Sequence, residues 1–237
     1  MTTATAPQTT ALTGLSQARF NMIEQQIRPW EVLDARVLAL LERVHREDFV
    51  PAAHKALAFA DMELPLSLPM VEGQAMLAPK VEARLVQDLQ LQATDKVLEV
   101  GTGSGHMAAL LASLAQRVVT IEVDEALARV ARNNLQKAGI TNADVRHADA
   151  AANGFAACAT EGPFDAIVLS GSVAEVPSAL LSLLAPGGRL AAIVGFEPMM
   201  RATIVTRTGD AAFQTAQPWD TVAPRLLNFP APSSFRF

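Results

Sequence analysis

The run Val97-Leu98-Glu99-Val100-Gly101-Thr102-Gly103-Ser104-Gly105 constrains this chain more than any other. Its first four residues read as a buried strand. They pass directly into a loop where three glycines alternate with two small hydroxyl residues. Glycine lets the backbone turn sharply and approach a bound molecule closely. His106 to Ala112 then read as the start of a helix. Strand, glycine loop and helix form a nucleotide-type binding unit, the hallmark of a doubly wound α/β sheet.

The loop spacing separates cofactor classes. A dinucleotide fingerprint is G-x-G-x-x-G/A, whose third small residue lets helix and strand pack closely. Here the spacing is G-x-G-x-G, and His106 stands where the third small residue belongs. Val118 to Glu122 read as the next strand, ending in a carboxylate 21 residues after Gly101. An acid at that distance suits the ribose hydroxyls of an adenosine cofactor. The loop spacing favours S-adenosyl-L-methionine over NAD, because this cofactor has no pyrophosphate to place at the helix N-terminus. Gly101, Thr102, Gly103, Ser104 and Gly105 are therefore expected to line its methionine and ribose, with Glu122 on the ribose hydroxyls. Glu99 either positions the cofactor's ammonium through water or supports the base of the loop. Asp149, after the third strand, is the candidate for the adenine amino group. Ser170 ends the fourth strand, at the sheet edge where such sites open, and is placed to touch donor or acceptor.

Composition narrows the partners. The chain has 237 residues, 50% of them hydrophobic, enough for one domain with an N-terminal extension. With 19 basic and 24 acidic residues and no long charge run, it is not built for nucleic acid as its main partner. No apolar run reaches membrane-spanning length. The single cysteine, Cys158, allows no intrachain disulfide and fits a reducing cytoplasm. No motif surrounds it, so it reads as a small core residue. Residues 1–13 are rich in Thr and Ala, without the basic start or apolar core of a secretory signal. They read as a disordered tail. His45, His54 and His147 lack paired ligand spacing, so no metal site is expected. The chain is read as a monomer.

Periodicity gives the organisation. Residues 1–15 are taken as the tail, 16–92 as a helical and substrate-loop region, and 93–237 as the cofactor-binding domain. Ile23, Ile27 and Trp30 share one helical face, and Val37, Leu40, Leu41 and Val44 recur at helical spacing after an Asp34 N-cap. Trp30 and Trp219 read as packing residues. Residues 61–79 carry Pro65, Pro69, Gly73 and Pro79 and form an irregular segment. A helix follows over 79–91. Strands are expected at 97–100, 117–122, 143–147, 164–169 and 188–195, with a helix from Ala126 capped by Asp124. This alternation predicts a parallel sheet with helices on both faces. A turn at Gly209-Asp210 predicts a terminal antiparallel hairpin, and a tail runs from Pro218 to Phe237. Leu226-Leu227-Asn228-Phe229 is placed to cover the acceptor pocket or pack on the sheet edge.

From about Asn21 to Gly195 the chain resembles the protein-L-isoaspartate O-methyltransferase family. The resemblance rests on Met22-Ile23-Glu24-Gln25-Gln26-Ile27-Arg28, Arg36-Val37-Leu38, Arg46-Glu47-Asp48-Phe49-Val50-Pro51, Gly73-Gln74 with Ala78-Pro79, and the glycine loop. Phe164 to Val168 and Leu184 to Leu190 resemble later motifs shared by many methyltransferases. The resemblance implies a Rossmann-like S-adenosylmethionine methyltransferase sheet and S-adenosylhomocysteine as product. It implies methyl transfer to the carboxylate of L-isoaspartyl residues in damaged proteins or peptides. The ester then cyclises to a succinimide and reopens in part to aspartate. Carboxylate oxygen is already a nucleophile at pH 7, so placement supplies most of the rate and no general base is required. His106 accordingly reads as a helix-start residue near the cofactor.

The substrate loop departs from that pattern. The family's loop reads Gly-Gln-Thr-Ile-Ser, whereas this chain reads Gly73-Gln74-Ala75-Met76-Leu77, with both hydroxyls absent. Gln74, Lys80 and Ser170 are the candidate acceptor-side residues, with Lys80 a cation for an anionic acceptor if it points inward. Ser170-Gly171-Ser172 stands where the family often has a Thr-Ala-Ala type turn. The departure motivates two alternatives: a methyltransferase for another, small-molecule acceptor, and a binding module without isoaspartyl activity.

Overall fold

The computed structural model describes residues 14–231. The expected tail over 1–13 lies outside the described residues. Gly14 and Leu15, assigned to that tail, instead open helix α1, Gly14–Met22.

The helical face continues from α1 through a π turn, Ile23–Ile27, into a 3-10 turn, Arg28–Trp30. Pro29 has no N–H to donate backwards, which explains why no α-helix passes this point. Helix α2, Ala35–Arg43, begins at Asp34, whose side chain accepts from the Arg36 N–H. The irregular segment is organised by a two-residue strand pair, β1 (Leu64–Pro65) with β2 (Ala75–Met76). Helix α3, Pro79–Leu89, takes Pro79 in its first turn and ends at Gln90 in the left-handed region.

A seven-stranded sheet follows. Its strands are β3 (Lys96–Val100), β4 (Arg117–Glu122), β5 (Ala143–His147), β6 (Phe164–Val173), β7 (Leu184–Phe196), β8 (Met199–Arg207) and β9 (Phe213–Thr221). Their order is β5-β4-β3-β6-β7-β8-β9, parallel through β7 and antiparallel thereafter. Helix α4, His106–Ala112, follows β3, and α5, Glu125–Lys137, follows β4 from an Asp124 cap. The chain winds outward from β3 to β5 and then returns to β6 on the other side of β3. That reversal opens a crevice at the carboxyl ends of β3 and β6, where open α/β sheets bind ligands. One apolar cluster joins α1–α5 to one face of the sheet. A second, including Phe155, Phe164 and Leu180, fills the other.

Three elements outrun their sequence limits by several residues; β7 starts at Leu184 rather than at 188. Strand β6 continues to Val173 because Ser172 pairs with Ile193 and bridges Arg225 of the tail. Strand β9 runs through Pro218, so the tail begins after Thr221. Proline is accommodated there because β9 is an edge strand and its register with β8 shifts between Ala202 and Ile204. The Trp30 and Trp219 rings meet edge to face, with centroids 6.3 Å apart, and Trp219 Nε1 donates to Asp88 at 2.8 Å. Both tryptophans thus lock the helical layer onto the hairpin, as packing residues. Cys158 is buried, and burial pushes its thiol up to about 11, which makes it inert near neutral pH.

Candidate active site

Two adjoining cavities occupy the crevice. The larger spans about 590 Å³, part of it open to solvent, and is lined by Gly101, Gly103, Glu122, Asp149, Ser170 and Gln74, among others. The smaller spans about 270 Å³, part of it open to solvent, and its lining includes Ala75, Leu77, Thr102, Ser104, His106 and Glu82. Leu66, Ala75, Gly101, Gly103 and Ser170 belong to both, so the spaces share a wall.

The glycine loop is shaped by what passes close to it. Gly101 has φ +93°, and a Cβ there would lie 2.8 Å from Leu226 Cδ2. Gly105 has φ +88°, and a Cβ there would lie 3.3 Å from Ala131 O of α5. Gly105 therefore supplies the close packing expected of the third small residue, and it lines neither cavity. Thr102 Oγ1 lies 2.6 Å from Thr120 Oγ1, and the Ser104 carbonyl accepts from Asn134 at 3.0 Å.

Glu122 anchors this loop. Its Oε2 accepts from the Gly103 N–H at 2.8 Å and its Oε1 from the Asp124 N–H at 3.0 Å. Each oxygen keeps further accepting capacity, and Glu122 lines the larger cavity. Asp124 caps α5 through Ala126 and Leu127, and its other oxygen accepts from Gln74 Nε2 at 3.1 Å. The Leu127 N–H and Gln74 hold its carboxyl below the usual carboxylate range despite some burial. Gln74 is thus tied to the cofactor side of the crevice. Asp124 reads in sequence only as a cap.

Glu99 lines neither cavity. It is fully buried and accepts from Thr120 Oγ1 at 2.6 Å and Ser170 Oγ at 2.8 Å. Burial pushes it up to about 8, against the pull of those two hydroxyls. Its link to the site runs through Ser170, which borders both spaces. Lys80 is placed elsewhere. Its Nζ lies 2.6 Å from Asp61 and 3.9 Å from the Trp30 ring centroid, in a groove with Met199 and Val222. The indole face and the Asp61 charge draw the ammonium to that side of α3.

The C-terminal strap completes the larger cavity. The Leu226 N–H donates to Ser172 O at 2.9 Å, fixing the strap on β6, and Leu226, Leu227 and Phe229 wall the cavity. Asn228 Nδ2 donates to Asp149 Oδ2 at 2.8 Å, while Asp149 Oδ1 accepts from the Ala151 N–H. The strap both packs on the sheet and covers the crevice. Of the two places expected for this segment, it takes the sheet, and the cavity it covers is the larger one beside Glu122 and Asp149 rather than the smaller one under the substrate loop.

These residues fit an adenosine cofactor. A cradle without side chains at Gly101 and Gly103 faces a strand-end carboxylate, and Val123, Leu127 and Phe229 offer an apolar wall beside Asp149. Fold and site together define a Rossmann-like methyltransferase of the S-adenosylmethionine-dependent class.

Comparison with known proteins narrows the class. The family model described as protein-L-isoaspartate(D-aspartate) O-methyltransferase matches residues 17–222. A Koribacter versatilis protein-L-isoaspartate O-methyltransferase is 41% identical over 83% of this chain and 84% of its own length. A Marinobacter nauticus protein-L-isoaspartate O-methyltransferase 2 is 38% identical over 90% of this chain and 94% of its own. Among solved structures, a protein-L-isoaspartate O-methyltransferase matches with a TM-score of 0.73 at 20% identity, covering 88% of this chain and 65% of that one. A Plasmodium falciparum chain, described as a candidate enzyme of the same kind and crystallised with S-adenosyl-L-homocysteine, matches at 0.69 and 18%, covering 90% of this chain and 99% of that one. This chain belongs to the protein-L-isoaspartate O-methyltransferase family.

Proposed function

We propose that the protein transfers a methyl group from S-adenosyl-L-methionine to the free carboxylate of L-isoaspartyl residues in damaged proteins and peptides. The observation that carries this reading is the shared wall. Gly101, Gly103 and Ser170 border both the larger cavity, which fits the cofactor, and the smaller one under the substrate loop. A donor and an acceptor in these spaces meet at that wall. S-adenosyl-L-methionine, when bound, supplies an electrophilic methyl on a sulfonium and leaves as S-adenosylhomocysteine.

The protein's own part is placement. Gly101 to Ser104 shape the cradle, Glu122 holds the ribose hydroxyls, and Asp149 takes the adenine amino group. Gln74, fixed by Asp124, orients the substrate loop against that cradle. Ser170 borders the meeting point with its hydroxyl turned onto Glu99. Leu226 and Phe229 exclude water from above. An acceptor carboxylate needs no proton removed, so nothing in the site has to act as a base. Lys80, tied to Asp61, serves the helical layer rather than the acceptor. The enzyme is read as a cytoplasmic monomer, supported by its single buried cysteine and by a crevice completed within one chain.

Labelled S-adenosyl-L-methionine tests this reading with an isoaspartyl peptide and its aspartyl twin. Selective labelling of the isoaspartyl peptide is the expected result. Cofactor binding without labelling would transfer the reading to another acceptor, the alternative that Ala75 and Leu77 motivate.

A further inference from the structure

The smaller cavity holds a polar group that the mechanism above leaves unused. His106, the first residue of α4, is buried beneath the substrate loop. Its Nδ1 lies 2.8 Å from Glu82 Oε2 of α3. Glu82 is also ion-paired with Arg46, whose Nη2 donates to the Leu77 carbonyl at 2.8 Å. One arginine therefore grips both the loop and the carboxylate that orients the imidazole. Phe49 packs against the ring with centroids 5.4 Å apart and fixes its plane. His106 Nε2, by contrast, is buried with no hydrogen-bond partner among the described residues. A buried ring nitrogen without a partner is costly unless something in the cavity meets it.

We propose that His106, oriented by Glu82, is the group that holds the acceptor carboxylate, through Nε2–H, in place of the hydroxyls absent at Ala75 and Leu77. This rests on the methyl-transfer reading above and assigns its acceptor contact. Charge balance supports it. Arg46 and Glu82 cancel, so a protonated His106 leaves one positive charge in a buried space, and an acceptor carboxylate neutralises it. Neutral His106, with Nδ1–H given to Glu82, would instead turn a lone pair toward the carboxylate and repel it. The charged groups around the ring are Glu82 from α3 and Arg46 behind it; Glu99 of β3, which feels the Glu82 charge, is held largely protonated near neutral pH by burial. Burial alone would raise Glu82, but His106 and Arg46 together hold it below its usual range, so it is the anion this arrangement requires. His106 would thus contact the acceptor, and Glu82 would position it.

Two substitutions test the assignment. Asn in His106→Asn can keep the bond to Glu82 but lacks the Nε2 edge. Gln in His106→Gln can return an N–H to the Nε2 position. The expected result for H106N is a KM for an isoaspartyl peptide raised about 10-fold or more, as for loss of a charged hydrogen bond. Affinity for S-adenosyl-L-methionine by calorimetry should stay within about twofold, and H106Q should recover part of the KM. A KM within twofold of the unaltered enzyme would overturn the proposal, as would a cofactor affinity falling in step with it. Turnover by the unaltered enzyme with H106N unchanged removes this assignment alone. No turnover by the unaltered enzyme removes both readings.

Discussion

The backbone N–H of Gly103 donates to Glu122 Oε2 at 2.8 Å, so the end of β4 holds the glycine loop that follows β3. The other oxygen of Glu122 takes the Asp124 N–H at 3.0 Å. Glu122→Gln keeps the shape but turns an NH₂ onto one of these two donors, whichever way the amide lies. Each hydrogen bond to a charged group contributes about 1.5–3 kcal/mol. Cofactor affinity by calorimetry should fall roughly 10- to 100-fold, with a lower Tm. An affinity unchanged within twofold would show that Glu122 neither shapes the loop nor meets the ribose.

Gly101 and Leu226 are expected to be coupled. Gly101→Ala meets two costs: a left-handed backbone at φ +93°, about 1–2 kcal/mol for a residue with a Cβ, and a clash 2.8 Å from Leu226 Cδ2. Leu226→Ala removes only the second. Denaturant unfolding of the single and double variants should therefore be non-additive, the pair losing about 1 kcal/mol less than the singles predict. Additive losses would mean that the strap does not rest on the loop in solution.

Glu99 makes stability fall as pH rises. Its folded value of about 8 lies above the ordinary 4.5. Between those values the unfolded chain has released a proton that the folded chain keeps, so folding weakens with increasing pH and levels off above about 8. Tm should decline from pH 5 to 8 in the unaltered protein. Glu99→Gln should flatten that decline, since the amide carries no proton to lose. A slope preserved in the variant would place the titrating group elsewhere.

Ala75 borders both cavities from β2, where a β-branched residue is accommodated. Ala75→Thr restores one loop hydroxyl. A neutral hydrogen bond contributes about 0.5–1.5 kcal/mol, so kcat/KM for an isoaspartyl peptide should rise roughly 2- to 12-fold with cofactor affinity unchanged. An unaltered kcat/KM would mean that the acceptor is already held by other groups.

The sequence by itself determined the sheet and the cofactor half of the site. Val97 to Val100 are apolar or buried without alternation because both faces of β3 are covered, and that run is visible without coordinates. Gly101, Gly103 and the 21-residue step to Glu122 are likewise local, since backbone freedom and a strand-end acid are written in residue type and spacing. The antiparallel hairpin followed from its turn. The tertiary structure alone decided what meets across distant segments. It set Glu99 behind Ser170, 71 positions apart, and laid Leu226 on Gly101. It drew Lys80 onto Trp30 and Asp61, away from the crevice where its loop position alone would put it. It also brought Glu82 and Arg46, 36 positions apart, together beside His106. Periodicity reports which face of an element is buried, but not which partner waits there. Partners are chosen by the packing of the whole chain.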